Sequence, residues 1–262
     1  MEIYNYHTHT FRCGHAVGND EDYVQTAIAA GFKVLGFSDH GPYPDYPMKN
    51  IHMNYDQLPD YIASITSLKE KYRDQIKVGL GLEIEYFHND EYLRQLKQQL
   101  DYLILGQHFA APDGSGFYFR NNSDEEIVVY GENVCAGLRS GLFAYLCHPD
   151  VFLVDQEEFT DTCAEVSRQI IETAVVTNTP LELNIHGVRR GKKPYKQGLR
   201  FAYPHYEFWK VAAEYPVKVV VGVDAHDPAD LLKNEDYETA LKELEGLELN
   251  IIHEDILSKD WK

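Results

Sequence analysis

Short apolar runs of strand length alternate along this chain with longer segments that have the pattern of helices. The predicted strands cover residues 3–6, 34–38, 78–82, 102–106, 142–147, 181–185 and 217–223. The predicted helices lie between them and cover roughly residues 19–31, 55–73, 90–100, 124–140, 157–177, 204–214 and 229–245. Regular alternation of this kind predicts an α/β fold of parallel strands joined by right-handed helical connections.

Residues of the types that bind metals follow nearly every predicted strand at its C-terminal end. His7 and His9 come first, and residues two apart in an extended chain share one face, so both imidazoles can reach one ion. His15 lies in the next loop, and the later strands lead into Asp39, His40, Glu83, His108, His148, His186, Asp224 and His226. An open doubly wound sheet is the alternative, but such a sheet gathers its site at one switch point. We therefore predict a closed barrel with the site at the C-terminal ends of its strands.

Composition narrows the possible partners and the cellular setting. With 262 residues, 44% of them hydrophobic, the chain can build one large core, and we predict a single domain over residues 1–262. The formal net charge of −18 argues against nucleic acid as the partner, because there is no basic excess to displace counterions. The sequence shows no signal peptide or membrane-spanning run, and its four cysteines form no C-x-x-C pair. We expect a cytoplasmic protein that binds no membrane, whereas its oligomeric state is not predicted.

Imidazole nitrogens and carboxylate oxygens together suit zinc, iron(II) or manganese(II). The predicted ligands are His7, His9, His15, His40, Glu83, His108, His148, Asp224 and His226. A lone histidine is more often a structural residue, but seven histidines at or near strand ends favour a metal site with more than one ion. The remaining loop and helix histidines, His52, His88, His205 and His253, are predicted to be solvated.

The order and spacing of these residues resemble the motifs of the PHP (polymerase and histidinol phosphatase) superfamily over the whole chain. Residues 36–40 and 181–184, with Arg189 and Arg190 after them, resemble the stand-alone histidinol-phosphate phosphatases of that superfamily. The resemblance implies a distorted (β/α)7 TIM-like barrel with three divalent ions, which in the family are zinc, iron or manganese. It assigns His7, His9, Glu83 and Asp224 to the first ion. Glu83 would bridge this ion to a second, which His108 and His148 would also bind. The third ion would be bound by His15, His40 and His226.

The chemistry implied by this resemblance is the hydrolysis of L-histidinol phosphate to L-histidinol and phosphate, a step of histidine biosynthesis. A water held by two cations is acidified, and as a bridging hydroxide it can attack phosphorus in line. Glu83 and Asp224 would act catalytically by holding the ions. Asp39 is expected either to protonate the leaving alkoxide or to orient His40. His186 replaces a small residue that the resemblance implies at its position, and it could bind phosphate or donate a proton.

Cationic side chains beyond the metals are expected to bind the phosphate. Arg189 and Arg190 follow the sixth predicted strand, and a guanidinium offers two parallel donors to phosphate oxygens. Arg120, in the loop after the fourth strand, is a further candidate.

Two other functions are compatible with the sequence. One is a phosphodiesterase or exonuclease of the same superfamily, or a phosphatase on another small phosphoester; the nuclease is disfavoured because no polymerase domain or basic groove is evident. The other is a catalytically silent metal-binding module, because a fold alone does not guarantee chemistry. The complete ligand set favours an enzyme.

Overall fold

The computed structural model of this chain describes residues 3–46, 51–196 and 198–258. Its strands are β1 (Tyr4–Asn5), β2 (Val34–His40), β3 (Lys77–Ile84), β4 (Tyr102–Leu105), β5 (Leu181–Asn184), β6 (Lys192–Tyr195), β7 (Gly198–Phe201), β8 (Lys218–Gly222) and β9 (Asn250–Ile251). Its α-helices are α1 (Asp20–Ala30), α2 (Leu58–Tyr72), α3 (Asp90–Gln99), α4 (Asp124–Ser140), α5 (Asp161–Thr177), α6 (His186–Arg189), α7 (Tyr206–Ala212) and α8 (Asn234–Glu243). The 3-10 turns within these described ranges are Phe11–Cys13, Tyr55–Gln57, Val151–Leu153 and Pro228–Leu232.

Parallel pairing closes seven segments into a ring. Strands β1, β2, β3 and β4 are neighbours in that order, and β5 pairs with β8. Leu146 joins the two groups because it forms parallel bridges to both Leu105 and Leu181. A parallel bridge between Thr8 and Ala225 brings the end of the last barrel strand back to the first. The prediction of a distorted barrel is confirmed. Residues 142–147 occupy the fifth strand position in the ring, but Leu146 alone forms the bridges to both neighbouring strands.

Register places the predicted ligands at one level of the barrel. His40, the last residue of β2, pairs directly with Glu83 of β3. The amide of His9 donates to the carbonyl of Ala225 at 2.9 Å, which sets the loop after β1 beside the segment that precedes His226. Because all seven segments run in the same direction, the residues at their C-terminal ends share one mouth.

A tyrosine fills the barrel below this mouth. Tyr102 is 2% exposed, and its hydroxyl lies 2.8 Å from the carbonyl oxygens of both Tyr6 and Phe37. A Cβ on Gly81 would come within 2.5 Å of the Tyr102 ring, so a glycine is required beside it. Tyr102 therefore fixes the chain positions just before the ligands of β1 and β2.

Several predicted element boundaries were wrong for local reasons. Helix α5 begins at Asp161 rather than at residue 157, because the hydroxyl of Thr160 accepts the amide of Cys163 and caps the helix there. The predicted helix 229–245 is divided into a 3-10 turn and α8. The antiparallel hairpin of β6 and β7 was not predicted, because its residues are largely exposed and carry no apolar alternation. Among the described residues no helix has the length and apolar character needed to cross a membrane.

Candidate metal centre

Glu83 stands at the centre of the predicted ligands. Its side chain is fully buried, and its two oxygens face different groups of imidazoles. Oε1 lies 2.6 Å from His148 Nε2 and 3.2 Å from His108 Nε2, whereas Oε2 lies 3.1 Å from His40 Nδ1, 3.3 Å from His7 Nε2 and 3.5 Å from His9 Nε2. A carboxylate that presents each oxygen to a separate group has the geometry of a bridge between two ions.

Asp224 provides a second carboxylate close to the Nε2 atoms of both His7 and His9. Its Oδ1 lies 3.1 Å from His9 Nε2, 3.3 Å from His226 Nδ1 and 3.6 Å from His7 Nε2. The residue has a left-handed backbone with φ of 50°, which turns the chain sharply after β8. This turn sets the Asp224 carboxylate and the His226 ring at the same side of the barrel mouth.

The structure brings all nine predicted ligands together. Groups whose ligand atoms all lie within 4.8 Å of one another include His7, His9 and Asp224, then His15, His40 and His226, and also His7, Glu83, Cys147 and His148. The first two groups correspond to the expected first and third ion positions. Cys147 was not predicted there; its Sγ lies 3.1 Å from Glu83 Oε1 and 2.9 Å from the carbonyl oxygen of Leu105, and its one S–H can donate to either.

Unpartnered buried atoms test whether this donor set fits metal ions. Among the described residues, the buried atoms without a hydrogen-bond partner include His7 Nε2, His9 Nε2, His40 Nδ1, Glu83 Oε2 and Asp224 Oδ1. Buried polar atoms in folded proteins nearly always have a partner. Here they point at one another, and nitrogen and carboxylate oxygen are the donors that zinc, iron(II) and manganese(II) take. The residues therefore fit divalent ions.

Charged neighbours shift the pKa values of the buried site residues in the direction opposite to the effect of burial. Burial by itself lowers the pKa of His7, but the carboxylates of Glu182, Asp224 and Glu83 together hold that pKa well above its ordinary value. Burial likewise raises the pKa of Glu83, and the surrounding imidazoles, with His108 the strongest, hold it well below its usual range. The carboxylate of Glu83 is thus kept ionised, as a ligand must be.

Glu182 is a site residue that the sequence analysis missed. It is fully buried in β5; its Oε1 accepts from His7 Nδ1 at 2.8 Å, and its Oε2 accepts from the amide of His148 at 3.1 Å. Asn184 donates to the same Oε2 at 2.9 Å and also lies 3.1 Å from Asp224 Oδ2. Glu182 and Asn184 alternate with leucines in β5, and this two-residue period could have indicated that both face the barrel interior.

Glu85 is the second missed carboxylate, and it corrects the prediction for His52. Glu85 Oε1 lies 3.0 Å from His108 Nδ1 and 3.1 Å from His52 Nε2, and the Tyr43 hydroxyl donates to Oε2 at 3.1 Å. His52 is 3% exposed rather than solvated, because its ring packs on the His40 ring with centroids 5.6 Å apart. The position of Glu85 two residues after Glu83 was the available signal.

His205 was also wrongly predicted to be solvated. It is 4% exposed and stacked on Phe159, and burial lowers its pKa to about 3. His88 and His253 are exposed, as expected.

Asp39 contacts a different histidine from the one expected. Its Oδ1 lies 3.4 Å from His9 Nδ1 and accepts the backbone amide of His40 at 2.9 Å, while Oδ2 accepts the hydroxyl of Thr10. The side chain is fully buried and does not line the cavity. Among the described residues the ring that Asp39 orients is therefore that of His9, and the expected contact with the His40 ring is not formed.

A cavity of about 470 Å³ opens over the ligands. It is lined by His15, His40, Ile51, Glu83, His108, Phe117, Phe119, His148, His186, Arg190, Tyr203, Asp224 and His226. This volume lies in the range of roughly 300–1,000 Å³ that is typical of small-molecule sites.

Of the three arginines expected to bind substrate, Arg190 lines the cavity. It is exposed and forms no ion pair within the described part of the chain. Arg189 turns away, since its guanidinium donates to the carbonyl of Asp224 at 2.9 Å and to Asp236 at 3.3 Å. Arg120 is exposed, paired with Glu126 and outside the cavity. Among the described residues, the cavity lining thus includes Arg190 and leaves out Arg189 and Arg120.

His186 reaches the cavity from the first residue of α6. Its Nδ1 lies 3.1 Å from Arg189 Nη2 and 3.1 Å from the carbonyl oxygen of Asp224. Nδ1 thus faces a donor, the guanidinium, and an acceptor, the carbonyl oxygen, so the proton of the neutral ring can lie on either nitrogen. Burial, opposed by Asp224, lowers the pKa of His186 and favours this neutral form.

Comparison with known proteins identifies relatives of the chain. Residues 5–186 match the PHP domain. A relative from Deinococcus radiodurans named "Probable histidinol-phosphatase" is 29% identical over 240 residues, which are 86% of each protein. The "Histidinol-phosphatase" of Bacillus subtilis is 34% identical over 121 residues, which are 42% of this chain and 45% of the relative. The crystal structure of histidinol phosphate phosphatase from Lactococcus lactis, complexed with zinc, L-histidinol and phosphate, shares the fold with a TM-score of 0.67 and 19% identity, covering 95% of both chains.

Proposed function

This chain belongs to the PHP domain family, and we propose that it is a metal-dependent phosphomonoesterase that hydrolyses L-histidinol phosphate to L-histidinol and phosphate. The observation that carries the proposal is the convergence of buried, unpartnered imidazole and carboxylate atoms below a cavity that Arg190 lines. The names of the Deinococcus and Bacillus relatives support the choice of substrate, as does the Lactococcus enzyme with its bound product and zinc.

We propose three divalent ions, of zinc, iron or manganese. His7, His9, Glu83 and Asp224 would hold the first, Glu83, His108 and His148 the second, and His15, His40 and His226 the third. When bound, such ions lower the pKa of a coordinated water and neutralise charge on phosphoryl oxygens. The contribution of the chain is to keep Glu83 and Asp224 ionised. It also orients the rings of His7, His108 and His9 through Glu182, Glu85 and Asp39, respectively.

Arg190 and His186 would bind the phosphoryl group from the side of α6. Arg190 can present two parallel N–H donors to phosphate oxygens, and no carboxylate of the described residues competes for it. His186 would donate one hydrogen bond from Nε2 in the tautomer in which its Nδ1 accepts from Arg189. Arg189 acts indirectly, since it fixes the His186 ring and the carbonyl of Asp224.

The state of the cysteines bears on the compartment in which the protein works. All four cysteines are free and buried, which is typical of proteins in a reducing compartment, so we propose a cytoplasmic location. We also propose that residues 1–262 work as one domain, because the strands around the site come from both halves of the chain.

Phosphate release from a panel of esters tests the function. Protein reconstituted separately with zinc, iron(II) and manganese(II) should hydrolyse L-histidinol phosphate far more efficiently than sugar phosphates, other amino-alcohol phosphates or nucleotide diesters. A preference for nucleotide diesters or single-stranded ends would identify a phosphodiesterase or nuclease instead. Metal-loaded protein that releases no phosphate from any ester would indicate a binding module.

A further inference from the structure

A hairpin-like loop between β4 and α4 forms one wall of the cavity. Phe109 and Phe117 pair in an antiparallel bridge, and the amide of Ala110 donates to the carbonyl of Gly116 at 3.0 Å. A Cβ on Gly116 would lie 2.5 Å from the Ala110 side chain, so the two arms of the loop are in close contact. Contacts between its own two arms therefore hold the loop together.

This loop carries two phenylalanines on one face. Phe117 and Phe119 are two residues apart, and their rings are stacked with centroids 5.4 Å apart and an interplanar angle of 16°. Phe119 in turn stacks on the ring of His108, with centroids 5.6 Å apart and an angle of 17°. The three rings form a continuous series from the metal ligand His108 outward to Phe117.

Phe117 is the outermost ring of this series and the least protected. It is 37% exposed, whereas most large apolar side chains of the described residues are buried, and it lines the same cavity as Arg190 and the metal ligands. Ile51 adds a further apolar lining residue. The cavity thus has an ionic base suited to a phosphoryl group and an apolar, aromatic wall that a phosphate would leave uncovered.

We propose that Phe117, supported by Phe119, is a leaving-group subsite that stacks on a flat heteroaromatic ring carried by the substrate alcohol. This inference rests on the proposed function, because an imidazole is the ring that L-histidinol phosphate would offer. Face-to-face offset stacking requires a planar partner, so the wall selects for an aromatic alcohol over an aliphatic one of similar charge. Phe117 is a specificity residue that touches the ring and takes no part in phosphorus chemistry.

The experiment compares an aromatic with an aliphatic substrate in the metal-loaded enzyme. Phe117→Leu keeps apolar volume but removes the ring, and Phe119 is left intact because it contacts His108. We expect KM for L-histidinol phosphate, and Kd for L-histidinol measured by calorimetry, to rise about three- to tenfold. Kinetics with O-phosphoethanolamine should not change. Phe117→Tyr should restore the wild-type values, and Phe11→Leu, the same substitution at a 48% exposed site outside the cavity, should leave them unchanged.

The outcomes separate this subsite from the proposed function. Equal losses on both substrates, or no change in KM and Kd for the histidinol compounds, would overturn the subsite. If the wild-type enzyme does not prefer L-histidinol phosphate, the proposed function fails. If it has that preference and Phe117→Leu retains it in full, only the leaving-group subsite fails.

Discussion

Replacing Glu182 by glutamine should weaken metal binding although Glu182 is not a predicted ligand. Both oxygens of Glu182 accept hydrogen bonds, from His7 Nδ1 on one side and from the amide of His148 and the side chain of Asn184 on the other. A glutamine must turn its NH2 toward one of these sides. Facing His148 and Asn184, the NH2 would meet two donors, so it should turn toward His7.

The His7 ring would then have to accept a hydrogen bond at Nδ1. The proton of the neutral ring moves to Nε2, the atom that lies 3.3 Å from Glu83 and 3.6 Å from Asp224 and that has no hydrogen-bond partner. A protonated nitrogen cannot bind a metal ion. Loss of a carboxylate behind a metal-binding histidine typically lowers affinity about 10- to 100-fold, or about 1.4–2.8 kcal/mol.

Metal content after dialysis against graded chelator concentrations, measured together with kcat, tests this argument. Glu238→Gln is the matched control, because Glu238 is exposed on α8. Gly222→Ala gives an independent perturbation, since its Cβ would lie 1.7 Å from Glu182 Oε1 and displace that carboxylate without changing its charge. A Glu182→Gln protein that retains wild-type metal affinity and turnover would refute the argument.

Three further predictions concern the ligands, the phosphate and the pH dependence of stability. Glu83→Gln should lower metal content and kcat at least about 100-fold, because it removes the bridge; near-normal values of both would disprove bridging. Arg190→Ala should raise KM for phosphate monoesters about tenfold or more with little loss of stability. Arg189→Ala should instead lower the melting temperature measured by calorimetry. The reverse pattern would mean that Arg189 binds the phosphate and Arg190 supports the fold. Burial raises the pKa of the Asp150 carboxyl from 3.8 to about 6. The folded state therefore binds this proton more tightly than the unfolded state does, and the free energy of unfolding should fall as the pH rises from about 4 to about 6. Asp150→Asn should remove that loss, at most about 3 kcal/mol, and denaturant titrations that show the same pH dependence as wild type would contradict it.

The sequence could predict which histidines and carboxylates cluster, because parallel strands bring their C-terminal ends to one edge whatever their distance along the chain. It could not predict the carboxylates behind them. Glu182 is a single acid among leucines, and its role depends on His7, which is 175 positions away. His52 lies in a loop with no periodic pattern, so its burial against His40 is a purely tertiary effect.

The arginine that we propose to bind phosphate could not be chosen from the sequence for a different reason. Arg189 and Arg190 are adjacent, and neighbouring residues on a helical turn point about 100° apart. The short helix α6 decides that Arg190 faces the cavity while Arg189 turns toward Asp236 and the carbonyl of Asp224. The two arginines differ only in the direction in which this short helix points their side chains, and no local sequence pattern predicts that direction.

Glycines in and beside the barrel strands explain how so much polar surface fits into one interior. A Cβ on Gly106 would lie 2.1 Å from Glu83 Oε1, and one on Gly222 would lie 1.7 Å from Glu182 Oε1. Glycine weakens a strand because it adds backbone entropy and no packing surface. At these positions, however, each missing side chain leaves the space in which a buried carboxylate contacts its histidines. The positions that look weakest for strand formation are therefore the ones that give Glu83 and Glu182 their space, and a side chain at either position would displace a carboxylate of the candidate site.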